Sequence, residues 1–156
     1  MLTASVETFR ENIEDFKQLS VSHYDEISEH KLRGIPLNPQ YEVYLQREDA
    51  GTVIFIALRN AGKFVGYLIS FVTPGLHYAD CLTSVGDIFF VYPAERGKFG
   101  GVMLFKAWEA ECRRRGVKLM CAGIKVKHAD EAKRLMEIMQ FFEAEIMFWK
   151  FLEDTN

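Results

Sequence analysis

Six residues in the middle of the chain, Arg96-Gly97-Lys98-Phe99-Gly100-Gly101, have the composition of an anion cradle. An apolar run of β-formers, Ile88, Phe89, Phe90 and Val91, stops at Pro93 just before them, and a helical pattern starts just after. Strand, glycine turn and helix start together make a phosphate-holding arrangement. The first backbone N–H groups of a helix have no intrahelical partner and sit at the positive end of its dipole. Glycine lets an anion come close to the backbone, and Arg96 and Lys98 add positive charge. A glycine turn that merely starts a helix, with no ligand, has the same local pattern.

The elements that must position this turn follow from hydrophobic periodicity. Residues 6 to about 31 read as helical, with Val6, Phe9, Ile13, Phe16 and Leu19 at spacings of three and four. A kink is expected near Ser20 to Ser22, and the run 34–39, rich in Gly and Pro, breaks the helix. Residues 41–46 lean to a short helix. Strands are expected at 53–58 and 64–72 around the turn Asn60-Ala61-Gly62, as an antiparallel hairpin. Residues 76–84 read as a loop or short strand and 87–91 as the strand of the glycine motif. A helix over 101–115 places Val102, Leu104, Phe105, Trp108 and Cys112 on or near its buried side, and Gly116 stops it. A buried strand over 119–126, a helix from Ala129 or Asp130 to Met139 and a last strand over 143–152 complete the order. That order predicts an α/β (α+β) fold, with a mixed sheet and helices interspersed in its second half.

The 156 residues are near the commonest size of one domain, and 49% hydrophobic content suffices for one core. With 26% charged residues, disorder is not indicated. A formal charge of −3 argues against broad binding to nucleic acid. Arg113-Arg114-Arg115 is a local exception that suits a helix C-terminus. Cys81, Cys112 and Cys121 are odd in number and lack metal-ligand spacing, which reads as reduced thiols and no metal. No secretory leader precedes them, and no apolar run approaches a membrane span.

The glycine motif resembles the acetyl-CoA signature of the GNAT N-acetyltransferase superfamily: Arg or Gln, two residues, Gly, one residue, then Gly or Ala, after a strand ending Val-x-Pro. Val91, Pro93, Arg96 and Gly101 match; Phe99 stands at the middle glycine, with Gly100 beside it. The element order is similar to that family's as well, so the resemblance covers most of residues 1–156 as a single GNAT-like domain. It implies a mixed, mostly antiparallel sheet with central splayed strands and helices on both faces. It implies acetyl-CoA as acetyl donor, with pantetheine in the splay beside Phe90, Val91 and Tyr92. The pyrophosphate would lie on the backbone of Arg96, Gly97, Lys98, Phe99, Gly100, Gly101 and Val102.

A narrower resemblance is to compact GNAT proteins of bacteriophages and prophages. It rests on His23-Tyr24-Asp25-Glu26-Ile27, Pro36-Leu37-Asn38-Pro39, Leu76-His77-Tyr78 and the Glu145, Phe148, Lys150, Leu152 end. It implies a cytoplasmic protein of a bacterial cell, encoded by the host or by a phage.

Acetyl transfer to an amine needs a held thioester, a base for the ammonium and stabilisation of the oxyanion and leaving thiolate. Asp87 at the start of the motif strand is one candidate base, or else a strand-start residue bonded to local backbone. His77 has a side chain suited to neutral pH, or packs against Tyr78 in a loop. Glu145 is a third candidate, or else a solvent-facing strand position, and His23 on the N-terminal helix lines the acceptor pocket, or else is an exposed or capping residue. Tyr78 and Tyr92 are phenols elsewhere in the chain, with rim packing as the other reading of Tyr92. The family's thiolate-protonating tyrosine aligns with Met136, its following glycine with Gln140 and a preceding asparagine with Ala129.

Two functions follow from these readings: an N-acetyltransferase acting on a primary amine of a small molecule or protein, or a GNAT-fold binding module with little turnover. The acidic charge suits a cationic acceptor such as a polyamine, aminoglycoside or lysine side chain. The apolar end, residues 146–152, supplies a surface for homodimer pairing or else alternates into the chain's own core.

Overall fold

The computed structural model describes residues 1–152. The opening residues are extended where a helix was expected: β1 (Leu2–Glu7) is a strand, and helix α1 (Phe9–Ile27) begins after it. Thr8 marks the change. Its hydroxyl accepts from the Glu11 N–H at 3.2 Å and donates to the Glu11 carboxylate at 2.8 Å, satisfying a free donor of the first turn. The expected kink is absent. α1 runs unbroken through Ser20 because that hydroxyl donates to the Lys17 carbonyl inside the helix, at 3.0 Å.

A 3₁₀ turn (Lys31–Arg33) closes on Gly34, whose φ of 70° suits glycine. The short helix α2 (Tyr41–Asp49) follows. β2 (Val53–Asn60) and β3 (Lys63–Gly75) form the expected antiparallel hairpin. Ala61 and Gly62, both at positive φ, make its two-residue turn. β4 (Tyr78–Val91) is far longer than expected; only Leu76 and His77 separate it from β3. Helix α3 (Gly100–Arg114) then leads to β5 (Leu119–Cys121), which is shorter than expected, and to helix α4 (Ala129–Ile138). Residues 141–152 form no strand, against expectation.

The sheet order is β1-β2-β3-β4-β5, antiparallel throughout except for the parallel pair β4 and β5. β2 is buried from Val53 to Leu58 because helices cover both sides of the sheet. On one side Ile54, Ile56, Leu58 and Leu68 pack with Leu104, Phe105 and Trp108 of α3 and Met136 of α4. On the other, Phe55, Tyr67, Ile69 and Phe90 pack with Phe9 and Phe16 of α1. Each fully buried Phe or Leu contributes roughly 1.5–3 kcal/mol, so both helical layers are firmly held against the sheet.

Candidate functional site

The parallel pair β4 and β5 is short. Thr83, Ser84 and Val85 face Leu119, Met120 and Cys121, and beyond that the second edge of β4 has no strand partner. The strands part toward the C-terminal end of β4, leaving residues 88–91 with one open edge. A buried polar chain pins the closed end. Trp108 Nε1 donates to Ser84 Oγ at 2.9 Å, and Ser84 Oγ donates to Ser70 Oγ at 3.1 Å.

A β-bulge lies just past this point. Ser70 pairs with Gly86 while Ile69 pairs with Ile88, so Asp87 is the extra residue. The bulge reverses side-chain parity. Ser84 faces α3 before it; Phe89 and Val91 face α3 after it, and Ile88 and Phe90 face α1. Asp87 is thereby displaced onto the α1–α2 side, where the Tyr44 hydroxyl donates to its Oδ2 at 2.7 Å. Burial, and then the Asp87 charge, raise the Tyr44 phenol well above its ordinary value. The phenol therefore stays protonated as a donor, and among the described residues the Asp87 carboxylate accepts no other hydrogen bond. Sequence reasoning did not single out Tyr44. Its partner is 43 positions away and depends on a bulge that no local pattern announces.

The glycine turn has the expected shape and unexpected side-chain partners. Gly97 and Phe99 both have positive φ, and α3 starts at Gly100. Phe99 is an exposed residue in the left-handed region and supplies no side-chain cap. The first turn of α3 carries no acidic side chain, so the N–H groups of Gly100, Gly101 and Val102 are available to an anion. A Cβ on Gly100 would lie 2.8 Å from Leu58 Cδ2, and one on Gly101 3.3 Å from Leu135. These glycines let α3 sit close to β2 and α4. Arg96 does not point freely outward. It donates from Nε to the Val91 carbonyl at 2.9 Å and from Nη2 to Glu26 at 2.8 Å, and it lies over the Phe90 ring. Its guanidinium holds the Glu26 carboxyl below the usual range. Lys98 reaches Glu95 at 2.9 Å and the Ala94 carbonyl. Tyr92 is exposed at the rim, and its N–H donates to the Val65 carbonyl.

His23 is neither exposed nor a cap. It is buried, stacked on Phe90 with centroids 4.7 Å apart, and its Nδ1 lies 2.6 Å from the Tyr67 hydroxyl. Burial raises the Tyr67 phenol, so that O–H donates and the proton of neutral His23 sits on Nε2. Among the described residues Nε2 has no partner. Burial lowers the His23 imidazole to about 4, so it is neutral near pH 7.

The remaining predicted residues are spread out. His77 is at the tip of the β3–β4 hairpin and Tyr78 begins β4. Tyr78 and Asp87 are nine positions apart along β4, with an irregularity of pairing between them. The structure does not bring His77 or Tyr78 to the gap. Glu145 lies on the irregular segment beside Cys121, whose thiol is raised first by burial and then by that carboxylate. Met136 is buried in the α3–α4 core, and Gln140 follows α4 at positive φ. Among the described residues no cluster of three or more His, Cys, Asp or Glu is placed to hold a metal, and no helix is long and apolar enough to cross a membrane.

No family model and no curated protein matches the chain. Solved structures do. A ribosomal-protein-alanine N-acetyltransferase from Brucella melitensis biovar Abortus 2308 matches with a TM-score of 0.71 at 14% identity, over 98% of this chain and 99% of that one. An aminoglycoside acetyltransferase from an uncultured soil metagenomic sample, in complex with sisomicin, matches with a TM-score of 0.75 at 13% identity, over 97% of each chain. AAC(6')-Iy in complex with the bisubstrate analog CoA-S-monomethyl-acetylneamine matches with a TM-score of 0.70 at 12% identity, over 97% of this chain and 99% of that one. These likenesses establish the GNAT fold: a mixed, mostly antiparallel sheet with helices on both faces; the opening lies between β4 and β5, the last strand of the order among the described residues, rather than between central strands as expected.

Proposed function

We propose that this chain is an acetyl-CoA-dependent N-acetyltransferase acting on a primary amine of a small molecule or a protein. The observation that carries the proposal is the gap between β4 and β5, with Asp87 near its closed end and the N-terminus of α3 at its open end. The four residue steps from Asp87 to Val91 span roughly 13 Å of strand, so the two ends are separated along one groove. The superposed proteins, by their names, include acetyltransferases for aminoglycosides and for a ribosomal protein, which fits an amine acceptor.

The residues present fit an extended thioester nucleotide. The free N–H groups of Gly100, Gly101 and Val102 suit its pyrophosphate, and a Cβ at Gly97 would meet nothing within 4 Å, leaving space beside the turn. Acetyl-CoA, when bound, supplies an acyl group already activated as a thioester. The unpaired edge of β4, where the Val91 carbonyl is already held by Arg96, orients the chain that enters the gap. Asp87 takes a proton from the acceptor ammonium, directly or through one water. Tyr44 fixes the carboxylate by holding Oδ2. Phe90, backed by His23, closes the α1 side of the gap and excludes water.

Met136 favours a second reading, a GNAT-fold binding module with weak turnover, because its thioether is buried and cannot protonate a leaving thiolate. Thiol release from acetyl-CoA in the presence of a panel of primary amines separates the two. The enzyme reading expects amine-dependent release that Asp87→Asn suppresses. Binding of acetyl-CoA without amine-dependent release favours the module.

A further inference from the structure

Beside Asp87, helix α2 and the sheet enclose an open cleft of about 310 Å³, lined by Tyr44 and Arg47 of α2, Phe71 of β3 and the segment 38–40. Arg47 lies over the Phe71 ring at 4.5 Å. It stands three positions, about one helical turn, from Tyr44, whose hydroxyl holds Asp87. The carboxylates next to Arg47 in sequence are already used. Glu48 accepts the N–H groups of Phe9 and Arg10 at the start of α1, and Asp49 pairs with Arg10 at 2.8 Å. Among the described residues Arg47 has no ion pair, and its guanidinium donates no hydrogen bond. Its five N–H donors are therefore free while its plane is steadied by Phe71.

Resting on the acetyltransferase reading, we propose that this cleft is the acceptor subsite and selects amines that carry a second, anionic group. The ammonium sits at Asp87 and a carboxylate or phosphate sits on Arg47. Asp87 supplies one charge and Arg47 the opposite one, a pattern complementary to a zwitterion. A polyamine or other polycation meets Arg47 as a like charge. The cationic acceptor expected from net charge is thus disfavoured by the local arrangement, because −3 over the whole chain says little about one cleft.

Calorimetry with defined probes tests this directly, in the presence and absence of 1 mM CoA. The probes are 5-aminovalerate and n-pentylamine, which differ in a carboxylate, and phosphoethanolamine and ethanolamine, which differ in a phosphate. The wild-type protein is expected to bind at least one anion-bearing probe tenfold or more tightly than its partner, as one charge-assisted contact gives. Arg47→Gln should bring that ratio close to one and Arg47→Lys should restore part of it. A ratio near one in the wild type, a ratio unchanged in Arg47→Gln, or no binding of any probe overturns the proposal. CoA heats are recorded in the same experiment. Their absence removes the acetyltransferase reading, whereas CoA binding without anion selectivity removes only the acceptor assignment.

Discussion

The hydroxyl of Tyr44 and the carboxylate of Asp87 are 2.7 Å apart, which ties the middle of α2 to the bulge of β4. The bond joins the wall of the cleft to the strand edge where the sheet opens. It also sets the carboxylate by two independent constraints, the bulged backbone and the phenol.

Replacing the charge should separate chemistry from binding. Asp87→Asn is expected to lower the rate of acetyl transfer by roughly 10²–10⁴-fold. CoA affinity should change less than twofold, since the proposed cradle is backbone. Tyr44→Phe should cost less, on the order of tenfold in rate, and the double variant should lose little more than Asp87→Asn alone. Single-turnover kinetics beside calorimetry checks both. Fully additive losses would show that Tyr44 does not act through Asp87.

A negative charge at the start of α3 should compete with the pyrophosphate. Phe99 is exposed and sits at positive φ, a conformation that Asp and Asn tolerate better than Phe. Phe99→Asp is expected to weaken CoA at least tenfold without lowering Tm, because an acidic residue also suits the helix N-terminus. Phe99→Asn should preserve affinity within about threefold. Equal affinity in both variants would place the pyrophosphate elsewhere.

Acid stability should depend on His23. Its folded value is near 4, whereas an unfolded histidine titrates near 6.5. Between these values the unfolded chain binds more protons, so stability falls as pH drops from 6.5 to 4 and is fully present above that range. The full swing is about 3 kcal/mol. Urea denaturation across pH 4–7 should show this slope, and His23→Phe should flatten it. An unchanged slope would assign the acid sensitivity to other groups.

Close approach at Gly66 supports the motif strand from behind. A Cβ there would lie 2.7 Å from the Phe90 carbonyl oxygen and 3.3 Å from Val91 Cα, both backbone. Gly66→Ala should destabilise by about 1–3 kcal/mol, which for a chain of this size is a fall in Tm of roughly 3–10 °C. A neutral substitution would mean that β3 and β4 shift freely there.

The glycine turn, α3 and the central hairpin were legible because their signals are local: a period of 3.6 in α3, and Asn60-Ala61-Gly62 between apolar runs. β1 was hidden because Val6 fits both the helical spacing with Phe9 and the alternation of Leu2 and Ala4. Thr8 with Glu11 marked the true helix start. The site itself was only half legible. Asp87 could be named from its position, but its orientation comes from a bulge and a phenol on another element. The expected outward roles of Arg96 and Lys98 gave way to Glu26 and Glu95; Glu26 is 70 positions from Arg96 and no local pattern pairs them, whereas Glu95 lies three positions before Lys98.

Titration of acetyl-CoA into the folded protein by calorimetry is the most direct measurement. One site per chain with a Kd below about 1 mM, equivalent to at least roughly 4 kcal/mol of binding free energy, is expected, weakened tenfold or more by Phe99→Asp and little by Asp87→Asn. No heat of binding at millimolar acetyl-CoA, in a sample that unfolds cooperatively, would contradict acetyl-CoA recognition by the gap between β4 and β5.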